Sequence, residues 1–146
     1  MIRPKTLVTV AALALLACKG GPAKLDPAKD RCIQCGMAVS KPKFAAQLVV
    51  PGQDPAFFDD ISCLAAYLDE PTHFSPKAVA YVADHRTGDW VLAAKAMYTR
   101  AGSVTTPMGS ALIANADEGS RSKDPDAVSG TPLTINQVFP RMPPGK

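Results

Sequence analysis

Three observations predict a mixed α+β fold made of two small, similar lobes of ββαβ type, placed after a signal peptide and a short tether. Apolar runs of strand length recur along the chain, and one amphipathic helical stripe interrupts them. The order strands, helix, strand is followed by strands, a weaker helix and a strand, which reads as a duplicated unit. The 146-residue chain less 17 signal residues leaves 129, so each lobe alone would bury too little to be stable and the two should pack together.

Taken in order, residues 1–17 read as a lipoprotein signal peptide. Arg3 and Lys5 supply its positive start, and Leu7 to Leu16 an apolar run too short to span a bilayer permanently. The ending Leu15-Leu16-Ala17-Cys18 resembles a bacterial lipobox, in which the cysteine is lipidated and becomes the new N-terminus. Cys18 is therefore expected as an anchor and not as a ligand. Lys19 is not the aspartate that commonly retains lipoproteins at the inner membrane. That favours an outer-membrane anchor, with the protein on the periplasmic face of a bacterial membrane. Residues 18–29 (the lipidated cysteine and a stretch rich in Gly, Pro and Lys) read as a flexible tether. Residues 30–88 form the expected first lobe, 89–139 the second, and 140–146 a loose tail.

In the first lobe, Phe44 to Val50 has strand character and Pro51-Gly52 turns the chain. Apolar residues at 57, 61, 64, 65 and 68 share one stripe, which predicts a helix over 57–68, capped by Asp59 or Asp60 and stopped by Pro71. Val79 to Asp84 is a strand, and Thr87-Gly88-Asp89 a turn. In the second lobe, 90–92 and 96–99 form an extended pair, and Ser110 to Ala114 a further strand. The order of elements asks for a short helix in the polar stretch 117–131; residues 134–139 fit either a last strand or a helical turn.

Charge sets limits on partners. The 16 Lys+Arg and 13 Asp+Glu become 14 against 13 once Arg3 and Lys5 leave with the signal. A nearly neutral domain gives no reason to propose nucleic acid. Two histidines in loops and no Ser-His-Asp arrangement or nucleotide loop make an enzyme a poor reading.

The informative chemistry is sulfur. Cys32-Ile33-Gln34-Cys35-Gly36-Met37 places two thiols and a thioether in six residues. Cu(I) is soft and prefers thiolate and thioether donors. In an extended segment Cys35 and Met37 would point the same way toward one ion, with Gly36 letting the backbone fold closely. Two other readings stay open at this point. Cys32 and Cys35 can be a thiol–disulfide pair, although no strand precedes them. A structural zinc site can be drawn from Cys32, Cys35, Cys63 and one of His73 or His85, with no second ligand pair to support it. With Cys18 as the anchor, three cysteines remain, and an odd number in an oxidising compartment leaves one thiol unpaired.

Cys63 falls away from the apolar stripe of its own helix and neighbours Asp59 and Asp60 at i−4 and i−3, so a ligand role and a small packing role both fit. Met108, in Thr105-Thr106-Pro107-Met108-Gly109, sits on a turn and not in an apolar run, which fits an exposed or ligating thioether. Met97 reads as core, Trp90 as a packing anchor, and both histidines as surface residues.

These pieces occur in the order of a known family. A lipoprotein signal, Asp30-x-Cys32-x-x-Cys35-Gly36-Met37, Phe58-Asp59-Asp60-x-x-Cys63, Trp90-x-x-Ala93-x-x-Ala96-x-Tyr98 and Thr106-Pro107-Met108-Gly109 resemble the NosL family over about Asp30 to Val138. That family comprises periplasmic lipoproteins that carry Cu(I) for assembly of nitrous oxide reductase. The resemblance implies two ββαβ lobes and a non-enzymatic, monomeric carrier. Its copper would sit on Cys35 and Met37, with Met108 from the Met-Gly turn and Asp60 or Asp59 as an oxygen donor. It also implies a copper-accepting protein or membrane assembly complex as partner. Cys32 and Cys63 depart from better-known members and would be extra ligands, a disulfide switch or packing.

Overall fold

The structure, a computed structural model, describes residues 20–142. The expected signal and Cys18 lie outside the described residues. No helix among the described residues is long and apolar enough to cross a membrane.

Two antiparallel sheets make the frame, one for each expected lobe. In the first, β1 (Ala46–Val49) follows a single 3-10 turn at Pro42–Phe44 and leads through a Pro51-Gly52 turn to β2 (Ala56–Phe58). The Gln53 amide donates to Val50 O at 3.1 Å across that turn, and Gly52 takes φ +80°. Proline then glycine in the middle is the pattern a type II turn requires. Phe57 and Phe58 are therefore strand, not helix. Pairing with β1 (Ala46 opposite Phe58) outweighs the helical stripe, and α1 starts only at Ile61, running to Asp69. The Asp60 side chain accepts from the Ser62 amide at 2.9 Å and fixes that start. After Pro71, β3 (Val79–Ala83) returns beside β1, and β4 (Trp90–Leu92) adds to its far side, giving the order β2-β1-β3-β4.

The second sheet repeats the plan. It contains β5 (Met97–Arg100), β6 (Leu112–Asn115) and β7 (Thr131–Leu133), in the order β6-β5-β7. Each lobe thus has its first strand in the middle. The connection that matches α1 is split into α2 (Glu118–Arg121) and α3 (Pro125–Ser129), capped by Asp117 and Asp124. Pro132 is tolerated because β7 is an edge strand. The segment at 134–139 is a helical turn, α4 (Ile135–Val138). By strand pairing the sheets part between Leu92 and Met97, so Trp90–Leu92 join the first lobe although the expected boundary falls at 88/89.

The lobes share one core. Phe58, Ile61, Leu64, Leu68 and Val82 of the first lobe and Tyr98, Leu112 and Phe139 of the second belong to the same buried cluster. Tyr98 packs edge-on to Phe139 and donates its hydroxyl to Ala93 O at 2.7 Å. A backbone bond from His85 N to Ala114 O (2.8 Å) and a bond from the Ala116 amide to the Asp84 carboxylate Oδ2 (2.8 Å) tie the end of β3 to β6. The tether is shorter than expected. From Ala23 the chain is fixed to β1, because the buried Gln47 side-chain amide both accepts from Ala23 N (2.7 Å) and donates to Ala23 O (3.1 Å). In the expected loose tail, Met142 packs against the core.

Candidate metal centre

Cys32 to Met37 is a tight turn and not the extended segment the sequence suggested. The Cys32 amide donates to Met37 O and the Gly36 amide to Cys32 O, both at 2.8 Å. Gly36 takes φ +78°, a conformation a residue with a Cβ adopts only at a cost of about 1 kcal/mol. The turn sends Cys32 inward, leaves Cys35 half-buried and puts Met37 outside. A strand-like bond from Ile33 N to Phe57 O (3.0 Å) lays the turn against β2, next to the residues that begin α1.

That contact assembles the thiols. One donor atom each from Cys32, Cys35, Cys63 and Asp59 lie within 4.8 Å of one another. Cys32 and Cys63 are 1% and 4% exposed, and Asp59 is 1% exposed. No disulfide joins the three cysteines. The Cys35 thiol donates to Asp59 Oδ1 at 3.4 Å, while Asp59 Oδ2 is buried without a partner. Cys63, in the first turn of α1, is carried inward by the helix toward Cys32.

The surroundings favour neutral thiols until a cation arrives. Burial pushes the Cys63 thiol far above its ordinary value, and the neighbouring Asp59 and Cys32 add to the rise. Burial also raises Cys35; the Met37 amide, which donates to its sulfur, opposes this, and Cys32 and Asp59 reinforce it. A bound cation would reverse this balance by stabilising thiolate.

The two adjacent aspartates have different work. Asp60 Oδ1 accepts from the Ser62 amide, the Ser62 hydroxyl (2.8 Å) and the Ser110 hydroxyl (2.7 Å), and Oδ2 accepts from the Met108 amide at 3.0 Å. Burial alone would raise its pKa, but these donors together with Thr106 hold it below the ordinary value. Both Asp60 oxygens are occupied in this way, so the oxygen free to meet a metal belongs to Asp59. The reason is positional: Asp60 is the helix cap, and Asp59, the last residue before it, faces the thiols.

Asp60 also brings in the second lobe. Its bonds to Met108 and Ser110 press the Thr106–Ser110 turn onto the start of α1, with Gly109 at φ +68°. Met108 is 46% exposed and Met37 49% exposed. Two thioethers thus stand half in water, one on the turn whose Cys35 bonds Asp59 and one on the turn that bonds Asp60. Of the other candidates, His73 stacks on Tyr67 in an exposed position. His85 bonds Asp124 at 2.8 Å between the lobes, away from the thiols.

Sequence reasoning brought out Cys32, Cys35, Met37, Cys63 and Met108. It left Asp59 and Asp60 as alternatives. Reading Phe57-Phe58 as strand would have separated them, by making Asp60 the residue that begins the helix.

A mixed α+β scaffold with a half-buried cluster of thiols and flanking thioethers defines a small protein equipped for soft-metal binding. The NosL family model matches residues 22–142, and the chain belongs to the NosL family. The fold is similar to that in the crystal structure of the copper chaperone NosL from Shewanella denitrificans. The TM-score is 0.62 at 15% identity, over 81% of this chain and 96% of that one. A comparison with curated proteins returns no match.

Proposed function

We propose that this chain is a periplasmic, lipid-anchored Cu(I) carrier and not an enzyme. Cys35 and Met37 hold one ion near the surface, Met108 closes the shell from the second lobe, and Cys32 and Cys63 stand behind Cys35. The lipid on Cys18 ties the carrier to the periplasmic face of the outer membrane. The cargo passes to a protein that assembles nitrous oxide reductase, or to another periplasmic copper enzyme. Membership of the NosL family and the likeness to a structure named as a copper chaperone support this reading.

The observation that carries it is the exposure of Met37 and Met108. Methionine is an apolar, core-filling side chain, and holding two of them half in water forgoes about 1 kcal/mol of burial each. Met37, two residues from Cys35, and Met108, on the turn bonded to Asp60, are soft donors that an incoming ligand can reach. A shell open on one side lets an acceptor's sulfur bind before the old ligands leave, so the ion is handed over without being released to water.

Anaerobic titration of the reduced protein with Cu(I) against a competing chelator tests this. One equivalent should bind tightly, with affinity reduced on the order of 100-fold or more in Cys35→Ser and in Met37→Ala. Unchanged affinity in both variants would refute the seat.

A further inference from the structure

The outer face of the first sheet takes no part in the copper seat. Gln47 pairs with Tyr81, Tyr81 with Leu92, and Ala83 with Trp90, so by strand alternation Gln47, Tyr81, Leu92 and Trp90 share that face. The two bonds between Gln47 and Ala23 hold the start of the described chain against it. Beside them Pro22, Leu25, Pro27, Pro42 and the half-buried Trp90 line an open groove. Charge is divided along the chain in the same sense. Residues 18–43 hold six Lys and Arg against two Asp, a balance of +4, while residues 44–146 hold eight against eleven Asp and Glu, or −3. In the basic part Lys29 pairs with Asp26, and Arg31 donates to Gly36 O. Lys24 lines the groove, and the exposed Lys41 and Lys43 flank its Pro42. The ion pairs of the described residues include none of these three lysines.

We propose that this face, through Trp90 with Lys24, Lys41 and Lys43, rests on an anionic phospholipid surface. The inference depends on the lipid anchor at Cys18 and adds an orientation to it. Chain length sets how near the face lies to the membrane. From Cys18 to Ala23 the chain extends at most about 18 Å, and Ala23 is already fixed to the sheet. At that distance the indole ring takes the boundary between acyl chains and headgroups, and the lysines meet headgroup phosphates. The acidic remainder of the chain is repelled by the same surface, which favours one orientation. The metal centre lies elsewhere on the sheet. Trp90 belongs to β4 at one edge, and the Cys32–Met37 turn is laid against β2 at the other. Three spacings of about 4.8 Å part these edges, so the contact and the turn stand about 14 Å apart along the sheet. The carrier is thus held by one edge, with the thioether of Met37 at the opposite edge open to an acceptor.

Trp90 is the one tryptophan of the chain and reports the contact without a label. The lipidated protein is bound to vesicles of phosphatidylethanolamine and phosphatidylglycerol, with and without brominated acyl chains, and its fluorescence is compared. Brominated lipid should quench Trp90 about twofold. Reversing the three charges together (Lys24→Glu, Lys41→Glu and Lys43→Glu), or adding about 0.5 M salt, should remove most of that quenching while the lipid keeps the protein on the vesicles. Protein that sediments with the vesicles yet is not quenched would overturn the contact and leave the anchor standing, as would quenching indifferent to the three reversals. Trp90 emission that moves to the blue as protein concentration rises, without responding to brominated lipid, would give the face to a second copy and overturn the contact. An unmodified Cys18 by mass spectrometry, with the protein left in the supernatant, would overturn both the anchor and the contact.

Discussion

In the first lobe the connection between the second and third strands is α1, nine unbroken residues; in the second lobe it is α2 of four residues and α3 of five, parted at Ser122–Asp124. Each helix starts on an aspartate, Asp60, Asp117 or Asp124, whose side chain accepts a backbone amide. Three strands in the same order stand behind both, β2-β1-β3 and β6-β5-β7, with β4 added to the first. Yet Cys32, Cys35 and Cys63 all lie in the first lobe, and the second lends the centre only the Thr106–Ser110 turn. The difference shows how a duplicated frame takes on chemistry. A continuous helix beside the Cys32–Met37 turn buries Cys63, with Asp59 just ahead of its cap, while the broken helix is occupied with holding His85 and Asn115 through Asp124.

The largest effect should come from the caps. Asp60→Ala removes a helix cap and both bonds to the second lobe, leaving the Met108 amide without its partner; a loss of about 3–4 kcal/mol is expected in chemical denaturation. Asp117→Ala removes an exposed cap alone, and about 1 kcal/mol is expected. Equal losses would mean that Asp60 does no bridging between the lobes.

Next come the two glycines that the lobes use differently. A Cβ at Gly130 would meet Thr99 Cγ2, and would lie 2.8 Å from Arg100 O. Gly130→Ala should therefore cost about 2–3 kcal/mol by forcing α3 from β5. Gly36 has open space around it and only its positive φ to lose, so Gly36→Ala should cost about 1 kcal/mol of stability. Its larger effect should be on metal affinity, since the turn aims Cys35. Thermal unfolding in the absence and presence of metal separates the two.

Acid should weaken both lobes through Asp60, Asp84 and Asp124. Burial raises each, but hydrogen bonds outweigh it and hold all three below the ordinary 3.8. A carboxylate with a lowered folded pKa gives stability that is fully present above the unfolded value and lost as pH falls through the folded one. Stability should therefore be level above about pH 5 and fall below about pH 4, and Asp60→Asn should flatten that fall. The smallest effect belongs to Ala111, which follows the Met108 turn with φ 57°. Ala111→Gly releases backbone strain and raises unfolded-chain entropy, so a net change under about 1 kcal/mol is expected.

Much of this was legible from residue order. The strand at 79–84, the turns at 51–52 and 87–89 and the Asp cap depend on local chemistry, and they stand where local chemistry puts them, whereas Cys32–Met37 folds into a turn where an extended segment was expected. Three features were not legible because distant partners decide them. Phe57-Phe58 became strand through pairing with β1, the tether from Ala23 was captured by Gln47, and Trp90–Leu92 went to the first sheet through β3. Cys63 was placed away from its helix's apolar stripe, yet it is buried. The face it lies on is covered by the Cys32–Met37 turn, which helical periodicity cannot foresee.

The claim that matters most is that the copper seat spans both lobes with sulfur donors alone. X-ray absorption at the copper edge of the loaded, reduced protein tests it directly. The expected result is low-coordinate Cu(I) with a sulfur-only shell that loses one sulfur in Met108→Ala and one in Met37→Ala. An oxygen or nitrogen shell, or a sulfur count indifferent to both methionines, would contradict it.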